Sequence, residues 1–327
     1  MTELEKLPEL TSASTSEHDS DNVSEHKQHS TGEHAPEQER THAHAGSLLG
    51  AADIRAIAAD AGISPTKKFG QNFVIDPGTV RKIVRTAGVA AHSHVVEVGP
   101  GLGSLTLGLL ETGASVTAIE IDTPVAKRLP RTVQQYMPSA ANHLRVVEMD
   151  ALKATPDNTG IATDRPLTLV ANLPYNVATP IILTMLERFT NIDSFVVMVQ
   201  KEVADRLSAQ PGSKVYGVPS VKLAWYGMAQ PAGTIGRNVF WPAPHVDSAL
   251  VEFHRRTVPL AEDSLRDTVF ELIDRAFSQR RKTLRAVLKK TLSDEVFEKA
   301  AIDSSRRGET LTIEEFIALA KAYVSID

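Results

Sequence analysis

An apolar run that ends in an acid and breaks into three alternating glycines constrains this chain most: His94-Val95-Val96-Glu97-Val98-Gly99-Pro100-Gly101-Leu102-Gly103. The run predicts a buried strand and Ser104 to Leu110 predicts a helix, so the glycines occupy a strand-to-helix turn. Glycine at such a turn lets a ligand approach the backbone at a helix N-terminus, where amide groups point outward. A second strand, Ser115 to Ile119, ends in Glu120, about twenty residues on, where a carboxylate can accept from ribose hydroxyls. A dinucleotide-binding turn shares these features. Its G-x-G-x-x-G fingerprint, however, asks for a small residue, usually glycine, where this chain has Ser104, and Glu97 would repel a pyrophosphate. A nucleoside ligand without pyrophosphate fits better; a purely structural turn is the other reading.

Two more strands end in polar residues. Leu144 to Glu148 runs into Met149-Asp150-Ala151, where Asp150 either caps the next helix or accepts from an adenine amino group. Leu167 to Ala171 runs into Asn172-Leu173-Pro174-Tyr175-Asn176, ahead of a helix from Pro180 to Phe189. That loop combines an amide, a fixed carbonyl and a flat ring, a set able to hold an aromatic amine, although the same residues also end strands in ordinary turns. Strand ends at Glu120, Asp150 and Asn172 make one shared crevice the expectation, since open α/β sheets place their chemistry beyond the carboxyl ends of the strands.

Upstream, helices are expected at Ala51 to Ala61 and Pro77 to Ala87. Between them Thr66-Lys67-Lys68-Phe69-Gly70-Gln71-Asn72-Phe73-Val74 reads either as a surface loop or as a ligand lid, with Gln71 and Asn72 as polar contacts anchored by Phe69 and Phe73. Downstream come a strand at Ser194 to Gln200 and a helix at Lys201 to Ser208. Phe240-Trp241-Pro242-Ala243-Pro244-His245-Val246-Asp247-Ser248 then leads into a strand at Ala249 to Phe253. Phe240 and Trp241 read equally as base-stacking aromatics or as core beneath that loop.

Charge separates the chain into parts. Residues 1–46 hold ten acids against three bases, so the rest carries 32 bases against 30 acids. That acidic segment is also rich in Ser and Thr, holds His18, His26, His29, His34, His42 and His44, and is expected to be disordered. A metal-binding tail is the lesser reading, because the spacing is irregular and the chain has no cysteine. The same lack excludes a disulfide framework and a cysteine nucleophile. No apolar run approaches the ~20 residues needed to span a bilayer and no basic-then-apolar leader is present, which makes a cytoplasmic protein the expectation. After about Val258 the periodicity turns helical. Arg275 to Lys290 places seven basic residues in sixteen beside an apolar stripe of Ala276, Phe277, Leu284, Val287 and Leu288. It is expected to be a helix with one face on the core and the other toward phosphates. A polar helix pair containing Ile302-Asp303 and Leu311 to Phe316 is expected to close the chain.

In combination and order, these motifs resemble the ribosomal RNA adenine dimethyltransferase family, in its bacterial small-subunit (16S) branch. The resemblance runs from about Lys67 to Ala322 and rests on Phe69-Gly70-Gln71-Asn72-Phe73, Glu97 to Gly103, Glu120, Asp150-Ala151, Asn172 to Asn176, Phe240 to Ser248, and Phe277-Ser278-Gln279-Arg280-Arg281-Lys282-Thr283-Leu284. It implies an α/β fold: a Rossmann-like class I methyltransferase sheet with helices on both faces over residues 47–257, and a small all-α RNA-binding domain over 258–327. It implies S-adenosylmethionine held by Asn72, Val74, Gly99, Glu120, Asp150 and Asn172. The family usually has Leu where Val74 stands. It implies that Asn172, Pro174 and Tyr175 handle the target adenine with Phe240 beside it, and that Arg280, Arg281, Lys282 and Arg285 contact RNA. The partners implied are small-subunit ribosomal RNA and the assembling small subunit, with a monomer as the default.

The chemistry fits the residue types. An exocyclic amine is a poor nucleophile because its lone pair is delocalised. Acceptance of its two N–H groups by the Asn172 oxygen and the Pro174 carbonyl would draw the nitrogen toward a tetrahedral state. No metal is required. Three readings compete: a large-subunit (23S) adenine methyltransferase of the antibiotic-resistance kind, an NAD-dependent oxidoreductase, and an RNA-binding assembly factor without turnover.

Overall fold

The computed structural model describes residues 46–65 and 71–326. The expectations for the acidic segment with its six histidines, and for Lys67, Lys68, Phe69 and Gly70, fall outside the described residues.

Seven strands make one sheet: β1 His94–Val98, β2 Ser115–Glu120, β3 Leu144–Glu148, β4 Leu167–Asn172, β5 Ile192–Gln200, β6 Gly227–Ile235 and β7 Ser248–Arg255. Across the sheet they run β3-β2-β1-β4-β5-β7-β6. β1 to β5 are parallel, and β7 is antiparallel to both β5 and β6. The central strands read as unbroken apolar runs because both faces of the sheet are covered. On one face Val95, Val170, Val196 and Leu250 meet helices α1 Ala51–Asp60, α2 Pro77–Thr86, α3 Ser104–Glu111 and α4 Thr123–Tyr136. On the other, Val96, Leu169, Ala171, Phe195 and Phe253 meet α5 Ala178–Arg188, α6 Lys201–Leu207 and α7 Val218–Tyr226. The Phe195 and Phe253 rings stack there at 4.6 Å. Strand order reverses between β1 and β4, which opens a crevice at their carboxyl ends.

The helices after residue 258 are α8 Arg266–Phe277, α9 Leu284–Leu288, α10 Asp294–Lys299 and α11 Ile313–Val324. They join the same apolar cluster as β4, β5 and β7, through Leu272, Ile273, Ala276, Phe316 and Leu319 among others.

Three expectations are corrected. Arg275 to Lys290 is not one helix: α8 stops at Phe277, residues 278–283 form turns, and α9 starts afresh at Leu284. Polar side chains account for the break. The Ser278 hydroxyl donates to the Arg275 carbonyl at 2.6 Å, and the Thr283 side chain caps α9 by accepting from Ala286 N. The expected stripe is nevertheless turned inward, with Ala276, Leu284 and Leu288 buried. Second, Ile302-Asp303 lies in a turn after α10, where Asp303 accepts from the Ser305 amide at 2.8 Å. Third, α11 is apolar on its inner face, burying Ile313, Phe316, Ile317, Leu319, Ala320 and Ala322.

Candidate active site

The glycine turn is built from left-handed backbone. Gly99, Gly101 and Gly103 have φ of +70, +56 and +100°, a region open to glycine at no steric cost. Space adds a second requirement: a Cβ on Gly101 would lie 2.9 Å from the Phe73 ring, and one on Gly103 2.9 Å from Leu129. With Gly103 as its N-cap, α3 then starts at Ser104, whose hydroxyl donates to the Val74 carbonyl at 2.5 Å. That bond, and the pairing of Phe73–Val74 with Phe240–Trp241, fold the segment after residue 70 over the turn.

Carboxyl groups line the crevice below. Glu120 is buried and doubly held, accepting from the Gly101 amide at 3.3 Å and the Asp122 amide at 2.9 Å. Burial raises its pKa against the opposing effect of those amides. Asp150 is both cap and wall: Oδ1 accepts from Leu152 N at 2.9 Å, and the residue lines the same cavity. Glu97 is 1% exposed and accepts from the Thr106 hydroxyl at 2.7 Å. Burial pushes its carboxyl up to about 8, the Thr106 bond opposes this, and Glu120 adds to it, so Glu97 is a neutral acid at pH 7. Gln71 reaches across the mouth and donates to Asp122 at 2.8 Å.

The cavity encloses about 1260 Å³ with its open mouth, and no Lys, Arg or His of the described residues lines it. Its apolar walls include Val98, Ile121, Met149 and Leu152. Glu120 and Asp150, with no basic side chain of the described residues in the lining, suit a nucleoside that carries positive charge and oppose a pyrophosphate. This donor set fits S-adenosylmethionine and disfavours a dinucleotide.

Asn172 ends β4 and faces the glycine turn across the switch point. Its Nδ2 donates to the Asn72 carbonyl at 3.0 Å, which leaves the side-chain oxygen as the acceptor. The Pro174 carbonyl accepts from Val177 N at 3.3 Å; one of its two lone pairs is thereby used and its direction set. The Tyr175 hydroxyl shares a 2.9 Å hydrogen bond with the fully buried Ser248, and burial raises the Tyr175 pKa. Asn172, Pro174 and Tyr175 line the same cavity as Asn72, Val74, Gly99, Glu120 and Asp150.

Phe240 stands apart. It is 3% exposed, belongs to the core under α2 and α3, and does not line the cavity, so between the two readings the structure places it in the core. The basic residues lie on the turn and helix start after α8. There Arg280 is paired with Glu309 at 2.7 Å and donates to the Ser213 carbonyl, and Arg285 pairs with Asp294. Arg281 and Lys282 are exposed, with no ion pair among the described residues. Two contributors went unselected by sequence reasoning. Glu97 reads in the sequence as an acid ahead of the glycines, and only the packing shows its near-complete burial against the Thr106 hydroxyl. Ser248 closes the Phe240 to Ser248 motif, and only contact with Tyr175 across 73 positions reveals its use.

A sequence model of the ribosomal RNA adenine dimethylase family matches residues 64–324. The ribosomal RNA small subunit methyltransferase A of Bifidobacterium adolescentis is 68% identical over 286 residues, covering 85% of this chain and 94% of that protein. The same-named protein of Streptomyces griseus is 56% identical, over 84% and 95%. Among solved structures, a dimethyladenosine transferase from Plasmodium falciparum matches with TM-score 0.63 at 24% identity, over 76% of this chain and 95% of that one. The 23S ribosomal RNA methyltransferase ErmE matches with TM-score 0.59, also at 24%, over 77% and 100%. These two share the fold.

Proposed function

The chain belongs to the ribosomal RNA adenine dimethylase family, and from that premise we propose that it dimethylates the exocyclic amines of two adjacent adenosines near the 3′ end of 16S ribosomal RNA in the assembling small subunit. It is an S-adenosylmethionine-dependent ribosomal RNA methyltransferase. The choice of small over large subunit rests on relatives of 56–68% identity that carry the small-subunit name. The observation that carries the chemistry is the Asn172 to Tyr175 loop at the switch point of an acid-lined crevice that no basic side chain of the described residues lines.

When bound, S-adenosylmethionine supplies a methyl group activated by a sulfonium. The protein's part is positioning. Asn72, Val74, Gly99, Glu120, Asp150 and Asn172 form the cofactor wall, Glu120 toward the ribose and Asp150, through the oxygen its cap leaves unused, toward the adenine. The Asn172 side-chain oxygen and the second lone pair of the Pro174 carbonyl accept the two N–H groups of the target amine. This localises the nitrogen lone pair and aims it at the methyl group. Tyr175 stacks on the base, its ring held by Ser248, a contact worth ~1–3 kcal/mol in single-strand binders. The target must be unpaired or flipped out for its amine to reach the crevice. Its proton passes to solvent after transfer, so no strong base is needed.

Residues 47–257 form the methyltransferase part of this scheme and 258–327 the RNA-binding part. Arg281 and Lys282 meet phosphates directly. Arg280 and Arg285 exchange exposed ion pairs, worth about 0–1 kcal/mol, for phosphate contacts. No helix of the described residues is long and apolar enough to cross a membrane. Action in the cytoplasm goes with a ribosomal substrate, and a monomer is part of the same proposal.

Incubation with labelled cofactor and unmodified small or large subunits tests the reading. Label in small-subunit adenine is expected, and its absence there, whether or not large-subunit adenine is labelled, overturns the proposal. Asn172→Ala should lower the transfer rate about 10²-fold or more, the scale seen on losing one aimed polar group, while RNA affinity is kept.

A further inference from the structure

A second cleft opens at the opposite edge of the sheet, at the N-terminal ends of β1 to β4. It encloses about 710 Å³ with its open mouth and is lined by His94, Thr117, Asn142, His143, Arg145 and Arg165, among others. No carboxylate of the described residues lines it. In a chain of 40 acids and 35 bases, two guanidinium groups and two imidazoles around this hollow concentrate hydrogen-bond donors, with Asp164 the acid on its rim.

The guanidinium groups are aligned by the fold. Arg145 donates from Nη1 to the Gly160 carbonyl at 3.0 Å and lies flat against Gly160, where a Cβ would meet its nitrogens at 2.4 Å. Arg165 places Nη1 3.3 Å from His94 Nε2 and pairs by Nε with Asp164 on the exposed rim, at 3.1 Å. The loop carrying Arg165 is pinned from behind by Asn191, whose Nδ2 donates to the Ala162 and Arg165 carbonyls at 3.0 and 2.8 Å. Each guanidinium has five N–H donors, so both keep donors for a ligand. The planar fork matches phosphate oxygens better than a point charge does.

We propose that this cleft binds a phosphodiester of the ribosomal RNA substrate, as a second anchoring site remote from the crevice. A five-residue strand is roughly 17 Å long at ~3.3 Å per residue, so the two sites lie at opposite ends of the central strands. An RNA that fills both must wrap the edge of the sheet, past β3. A short strand seated in the crevice reaches only one. The cleft thus selects structured RNA over isolated adenine-containing oligonucleotides.

The inference rests on ribosomal RNA being the substrate, and its readout is RNA binding rather than methyl transfer, so the two can fail separately. Affinity for unmodified small-subunit RNA is measured against salt for the full chain, Arg145→Gln, Arg165→Gln and the pair. The paired change is expected to lower the slope of log K against log salt by about 0.7–0.9, one phosphate's worth, and each single change by part of that, with melting temperature and cofactor-analogue affinity unchanged. Unchanged slopes in all three variants overturn the proposal. Because the chain has no cysteine, Asn142→Cys offers a single attachment point for a hydroxyl-radical probe, which keeps the test open if a variant unfolds. Cleavage of one RNA segment supports the site, and no cleavage above background overturns it. Inorganic phosphate is titrated in parallel. Binding of phosphate at the cleft with no RNA effect in the variants assigns it to a free anion and overturns the RNA reading.

Discussion

Glu97 shows how one residue can couple the crevice to stability. Its carboxyl titrates near 4.5 when unfolded and at about 8 in the fold, so the folded state holds the proton more tightly. The stabilising contribution is complete below about pH 4.5 and is lost as pH rises through about 8. Glu97→Gln removes that contribution: its urea midpoint should decline less steeply than the parent's between about pH 5 and 9, the remaining slope coming from groups such as Glu120, and parallel curves would refute the assignment. Ser248 is a separate case, since it orients Tyr175 without lining the cavity. Ser248→Ala removes one net hydrogen bond of about 1 kcal/mol, and kcat/KM for RNA should fall about fivefold while cofactor affinity holds. The residues of the crevice were largely legible beforehand, because glycines with positive φ, acids after strands and an Asn-Leu-Pro-Tyr loop are local patterns. Phe240 was not: whether an aromatic stacks on a ligand or on its own core depends on neighbours that sequence spacing does not supply.

Among the helices, α2 and α3 approach each other closely. A Cβ on Gly108 would sit 2.3 Å from Val80 Cγ1, and Val80 is buried and β-branched, so it has little room to turn. Gly108→Ala should therefore lower stability by ~1–3 kcal/mol in denaturant unfolding, despite alanine's better helix propensity. In the sequence that glycine is only a weak point in a helical pattern. β6 shows no strand pattern in the sequence for a similar reason. Pro231, Gly233 at φ +114° and the register shift between Pro231 and Thr234 erase the alternation that marks a strand. They suit an edge, where a missing donor is tolerated and a bulge discourages further pairing. The basic segment after α8 was read as one helix because its apolar residues keep helical spacing. Ser278 and Thr283 interrupt it by competing for the backbone, and the charges are presented from a turn.

At the scale of the molecule, the helices beyond residue 258 complete the cover over one face of the sheet. Leu272, Phe316 and Leu319 are buried in one cluster with Phe195 and Phe253, so the two regions unfold together. Calorimetry of the full chain should give a single transition for the described body, and a chain ending at Val258 should bind the apolar dye ANS and lack cooperative melting; two separable transitions would contradict the shared core. The sequence by itself determined the crevice, because a parallel sheet with short crossovers collects strand ends at one edge, and each of those ends carries its polar residue locally. Only the tertiary structure decided which acid is buried and neutral, which aromatic belongs to the core, and that His94, His143, Arg145 and Arg165 share a cleft at the opposite edge. These depend on burial and on contacts between distant segments, which the packing of both faces of the sheet sets and no local pattern encodes.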